Sequence, residues 1–155
     1  MAGACIQKPA ASVQVNPTNP TGTNSTSGVM MGLGAQATPV AFTPSGTGIV
    51  DVTITGVEVI SAGAAGSTTV GGRYGTGTAP ANGAADTGTH FGPASDMQFR
   101  MANVSATAGT PFTIKGRVAL TAGTKYWFDL FVDQAVGTNT GGPVTIAVII
   151  EELVS

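Results

Sequence analysis

The stretch IVDVTITGVEV (49–59) decides the class of fold. Val50, Val52 and Ile54 fall on one parity and Asp51, Thr53 and Thr55 on the other, the alternation that a strand buried on one face requires. Val57 and Val59 continue on the opposite parity directly after Gly56. A β-bulge at Gly56 would restore the register, one of the uses of Gly inside strands.

The same period recurs on the C-terminal side. Met97, Phe99 and Met101 alternate with Gln98 and Arg100, and Phe112 and Ile114 alternate with Thr113 and Lys115, followed in parity by Val118 and Leu120. In TKYWFDLFVDQ (124–134), Tyr126, Phe128, Leu130 and Val132 line one face, and Trp127, Asp129, Phe131 and Asp133 the other. A strand apolar on both faces belongs mid-sheet, its second face covered by a neighbouring subunit or loop. PVTIAVIIEEL (143–153) is the last strand. No stretch keeps a helical period, and the β-branched residues of VIIEELV favour a strand. TAGTPF (107–112) and TAGTKY (121–126) read as equivalent turns at one end of a sandwich. Strands near 38–43, 48–60, 68–74, 96–104, 111–120, 124–133 and 143–153 predict an all-β, jelly-roll-like antiparallel β-sandwich of seven or eight strands.

Composition agrees. Of 155 residues only 14 are charged, against 23 Gly and 23 Thr. Thr suits pleated strands and Gly the turns between them. A typical domain carries about a quarter charged residues, so a chain this poor in charge reads as one whose polar faces press on other protein. The net charge of −2 and the scatter of Lys8, Arg73, Arg100, Lys115, Arg117 and Lys125 give no electrostatic case for nucleic acid or anionic membrane. The N-terminus lacks the basic and apolar regions of a secretory signal. Export by the usual routes is not expected, and if the protein ends up outside a cell, it is expected to leave inside a larger particle.

Residues 1–35 differ from 36–155. They hold Pro9, Pro17, Pro20, the polar run TNPTGTNSTSG (18–28) and one charged side chain, Lys8; only VQV (13–15) resembles a strand. Such a segment cannot offset its ordering entropy by itself. It is predicted to be an extended arm ordered on a partner, with Cys5, Ile6, Val13, Val15, Met30, Met31 and Leu33 as contacts and GVMMGLG (28–34) as the docking patch; the alternative is a terminus without a role. Cys5 is the single Cys, hence a free thiol or an interchain disulfide.

Residues that carry chemistry are sparse. His90 stands alone in TGTHFG (87–92), read as a surface residue, and no GxSxG elbow is present. Asp129 and Asp133 are too far apart for a carboxylate dyad. With Asp51 or Asp96 they would suit calcium, and solvated or ion-paired carboxylates are the preferred reading. GGRYGTGTAPANG (71–83) lacks both GxGxxG and the Lys-Ser/Thr ending of a phosphate loop. No catalytic residue, metal or cofactor is expected.

The segments SGVMMGLG (27–34), TPSGTGIVDVTITGVEV (43–59), RYGTGTAPANGAADTGT (73–89) and LTAGTKYWFDL (120–130) resemble a family of small β-sandwich modules encoded by tailed phages and prophages of α-proteobacterial hosts. The resemblance spans about 27–153, and YGTGTAPANGAA (74–85) is its most specific element. It implies a homotrimeric virion structural protein on the outer surface of the particle. A capsid decoration (cement) or head-fibre subunit, bound by its arm to the major capsid protein or another virion protein, fits the short chain best. The alternative is a tail-fibre or collar tip binding a host receptor or glycan. A carbohydrate-active domain would require an exposed aromatic platform or paired carboxylates, and Trp127 is the single Trp.

Overall fold

A computed structural model describes residues 11–61, 67–92, 99–102 and 109–154. Ten strands run in chain order: β1 (Ala11–Val15), β2 (Val29–Met30), β3 (Ala41–Phe42), β4 (Ile49–Ser61), β5 (Ser67–Thr76), β6 (Thr89–Phe91), β7 (Phe99–Ala102), β8 (Gly109–Ala119), β9 (Tyr126–Gln134) and β10 (Thr140–Glu152), with one 3-10 turn at Leu33–Ala35. The first sheet has the order β1-β10-β4-β8. The second has β2-β9-β5-β6, with β3 also on β9 and β7 also on β5. All pairs are antiparallel.

The pairing order identifies the winding. The first strand pairs with the last, β2 and β3 with β9, β4 with β8, and β5 with β6 and β7. A long antiparallel ribbon rolled on itself gives this nesting, and the fold is a jelly-roll β-sandwich. Val50, Val52 and Ile54 of β4, Ile114 and Val118 of β8, and Val148 and Ile150 of β10 meet Val70, Phe128, Leu130 and Val132 of the other sheet in one core. Tyr74 stacks on Phe128 at 6.0 Å, and Phe91 meets the same ring edge-on at 6.1 Å.

The expected arm is mostly part of this sandwich. β1 pairs with β10 from Ala11↔Glu152 to Val15↔Val148. The Thr145 N–H then donates to Asn19 Oδ1 (2.9 Å), and Thr23 exchanges backbone bonds with Gly141 (2.7 and 2.9 Å). Crossing to the second sheet, the chain edges β9: Gln134 N–H donates to Ser25 O (2.8 Å), Met31 N–H to Leu130 O (2.8 Å), and Phe128 N–H to Val40 O (2.9 Å). Residues 11–42 therefore close one open edge of each sheet. The boundary at residue 35 is corrected accordingly. Backbone bonds at the two sheet edges and buried side chains such as Val15, Met31, Leu33 and Val40 hold this stretch together, and the irregular spacing of those side chains does not display a strand period.

Two further expectations are corrected. β4 keeps its register against β8 through Gly56↔Phe112 and has no bulge there. The irregularity lies in β10, between Val144 and Ala147, where Thr145 adopts φ 53. Gly56 is instead the seat of a ring, since a Cβ there would stand 2.8 Å from Phe112 Cζ. With parity unbroken, Glu58 turns inward and Val59 outward. The two TAGT segments lie at opposite ends of β8, Gly109 and Thr110 opening it and 121–124 following its end.

Candidate functional site

The two outer faces of the sandwich differ, and the difference locates the site. The outer face of β9 and β5 is sealed by the chain itself. Met30, Trp127 and Phe131 form a second small core, with Ala79 and Ala84 packed on it. β2 is bonded on its far side to the loop after β5, through Met30 N–H to Ala84 O and Gly83 N–H to Met30 O, both 2.8 Å. Arg73, 1% exposed, lies 4.1 Å above the Phe131 ring, and its Nε and Nη2 each donate to Asp86 at 2.7 Å. This two-pronged pair ties the loop to β5. The face that the sequence required to be covered is covered by a loop of the same chain.

Asp129 fastens the N-terminal segment on that face. Its Oδ2 accepts from Gly32 N–H (3.0 Å), and its Oδ1 from Leu33 (3.0 Å) and Leu130 (2.7 Å). Burial pushes its pKa up to about 7, against the pull of these amides. Glu152 does the same for the turn before β4, accepting from Ser45, Gly46 and Gly48 N–H at 2.8 Å each. Those bonds hold its pKa below the usual value. Neither carboxylate is a solvated strand charge. Asp51 lies on the outer face of the other sheet, so it cannot share an ion with Asp129; Asp96 lies outside the described residues.

The outer face of β1-β10-β4-β8 has no such cover among the described residues. Its large apolar side chains Ile49, Val59 and Ile149 are 36%, 38% and 40% exposed. The cross-strand rows run Glu151–Asp51–Arg117, Ile149–Thr53–Lys115 and Ala147–Thr55–Thr113, then Val57 beside Pro111. Arg117 forks onto Asp51, Nε to Oδ1 at 2.7 Å and Nη2 to Oδ2 at 2.9 Å. This bond, ahead of the smaller opposing effect of burial, lowers the Asp51 pKa. The four strands, of 5, 13, 13 and 11 residues and about 4.8 Å apart, make a face of roughly 700 Å², close to one partner's share, about 800 Å², of a standard protein interface.

Glu58, Thr68 and Gln134 are buried polar residues, and Glu58 Oε1 and Gln134 Nε2 both lie beside Gly141. Thr68 Oγ1 donates to Gln134 Oε1 (2.7 Å), whereas both Glu58 oxygens and Gln134 Nε2 have no hydrogen-bond partner among the described residues. Burial raises the Glu58 pKa to about 8. A groove of about 380 Å³ lined by Gln36, Pro39, Ala79, Lys125 and Trp127 opens on the sealed face. Trp127 offers it no platform: the indole is 6% exposed, and a Cβ on Gly34, Gly75 or Gly88 would run into it.

The expected contact residues are placed otherwise than on an arm. Met30, Met31 and Leu33 are 0% exposed, Val15 is buried in the core, and Val13 is half-buried against it. Cys5 and Ile6 lie outside the described residues. His90 is exposed on β6, its ring 6.4 Å from that of Phe131. Among the described residues no group of three or more His, Cys, Asp or Glu is placed to hold a metal, and no helix is long and apolar enough to cross a membrane. The sequence reading missed the bare face. Its signal was present, since Ile49, Val57, Val59 and Ile149 all fall on the parity opposite to the core.

No family model and no curated protein matches the chain. Among solved structures it is similar to the globular domain of zebrafish complement 1qA protein, at 12% identity and TM-score 0.38 over 93% of this chain and 94% of that one. It is also similar to Eiger TNF from S. frugiperda, at 13% identity and TM-score 0.41 over 96% and 95%.

Proposed function

We propose that this chain is a non-catalytic structural subunit that associates with further copies of itself, as a homotrimer, through the outer face of β1-β10-β4-β8. The observation that carries the reading is the asymmetry of the sandwich. One outer face is sealed by the chain's own loop and N-terminal segment, while the other keeps Ile49, Val59 and Ile149 in the open. Burying three such side chains is worth roughly 1.5–3 kcal/mol each relative to full exposure, and less here because each is already partly covered. The scarcity of charge fits a molecule with part of its surface turned toward protein.

The setting we propose is the outer surface of a phage particle, as a decoration or head-fibre subunit on the shell; the sequence resemblance supports it. A subunit that binds only the assembled lattice stabilises that lattice by its binding free energy. The attachment segment narrows to residues 1–10, with Cys5 and Ile6, because Val13, Val15, Met30, Met31 and Leu33 are used within the fold. Copy number on purified particles tests the setting: hundreds per particle fit decoration, a few to a few dozen fit a fibre or collar tip, and none refutes it. Light scattering of the isolated chain across a dilution series tests the assembly, and a monomer at every concentration would refute it.

A further inference from the structure

We infer that copies of this chain meet with β8 of one against β10 of the next, Lys115 of the first pairing with Glu151 of the second. The inference rests on the assembly reading and specifies its contact. Charge on the bare face is divided by strand: Lys115 and Arg117 stand on β8, Asp51 on β4 and Glu151 on β10. Arg117 and Asp51 are joined within the chain, which leaves one cation on β8 and one anion on β10. Both side chains are exposed.

The surroundings of the two differ in a way that calls for a partner. Lys115 lies across from Thr53, while Glu151 lies across from Asp51 on one side and Ser12 on the other. Asp51 is compensated by Arg117 and also feels the Lys115 charge, whereas Glu151 has no cation across from it on either neighbouring strand, and a cation from a second molecule supplies one. The face thus holds both halves of a complementary contact, basic toward one side and acidic toward the other, with Ile149 and the Thr rows between. A rotation that brings β8 of one copy to β10 of the next satisfies both halves at once and repeats around a closed ring. A second copy of this chain is the occupant this distribution fits.

Charge-swap variants of the full chain test the contact, read by native mass spectrometry and by light scattering across a dilution series. Lys115→Glu and Glu151→Lys should each weaken association at least tenfold, because each sets like charges across the contact. The double swap should restore it to within about threefold. Circular dichroism should show an unchanged β spectrum for every variant, both positions being exposed. A monomeric wild type would overturn the assembly reading itself. An assembled wild type with indifferent single swaps, or a double swap without rescue, would overturn the Lys115–Glu151 contact and leave the assembly standing.

Discussion

The Asp129 carboxylate accepts the backbone N–H of Leu33 at 3.0 Å across 96 positions of sequence. Two carboxylates in this fold, Asp129 and Glu152, gather backbone amides of distant loops, so that irregular chain is fixed by strands.

Replacing Asp129 with Ala leaves the Gly32 and Leu33 amides buried without an acceptor. A buried donor left unsatisfied costs about 1–3 kcal/mol, so D129A should lose roughly 3 kcal/mol in urea unfolding. Glu152→Ala should act similarly through the 45–48 turn. An effect below about 0.5 kcal/mol for D129A would remove the clasp from the account.

Glu58 predicts stability that falls as pH rises. Its folded pKa of about 8 exceeds the ordinary value of 4.5, so the folded state holds a proton that the unfolded chain releases. The resulting stabilisation is complete below pH 4.5 and is lost progressively toward pH 8, by up to about 5 kcal/mol. Asp129, raised from 3.8 to about 7, acts in the same direction. Asp51 and Glu152, both lowered, oppose it only in more acidic solution. Calorimetry should place the highest Tm near pH 5 with a decline to pH 8, and Glu58→Gln should flatten that slope. A Tm that rises over this interval contradicts the assignment.

How much of this was legible in the sequence depends on what each residue faces. β4, β8, β9 and β10 bury alternate side chains, so Val50, Ile114, Phe128 and Val148 announced their strands. The two apolar faces of TKYWFDLFVDQ announced a covered strand as well. Residues 11–42 edge the sheets through backbone bonds, to which Thr23 and Ser25 bring no side-chain pattern, and their core side chains Val15, Met31, Leu33, Val40 and Phe42 follow no single period. Glu58 misled in the other direction. Val57 and Val59 on the outer parity read as a change of register, whereas the register is intact and the Glu58 carboxylate is buried on the core side.

Gly56 provides a direct test of that point. In a bulge a larger residue would find room, but here a Cβ would meet Phe112 Cζ at 2.8 Å and Val144 O at 3.3 Å. Gly56→Val should cost about 1–3 kcal/mol by overpacking, read as a lower midpoint in chemical denaturation. Phe112→Ala combined with it should recover part of that loss relative to the sum of the single changes. Strict additivity would separate the two residues.

Truncation separates attachment from folding. Removing residues 1–10 should leave the fold and its Tm nearly unchanged while abolishing binding to the particle. Removing 1–26 should also strip β1 and the Thr23 bridge from β10, which exposes a strand edge and promotes aggregation. Equal stability of the two truncations would deny β1 its place.

The pairing of Ala11 with Glu152 has a consequence for biosynthesis. β1 waits for β10 to be made, and the segment 25–42 likewise waits for β9. No nested pair short of β5 with β6 and β7 can form before most of these strands have emerged, so native structure should appear only once β10 is available. A nascent chain stalled before residue 140 would hold a β4 paired with β8 on one edge only and a β1 without its partner. Wild-type refolding should accordingly be slow, on the order of milliseconds to seconds, as non-local β topologies are.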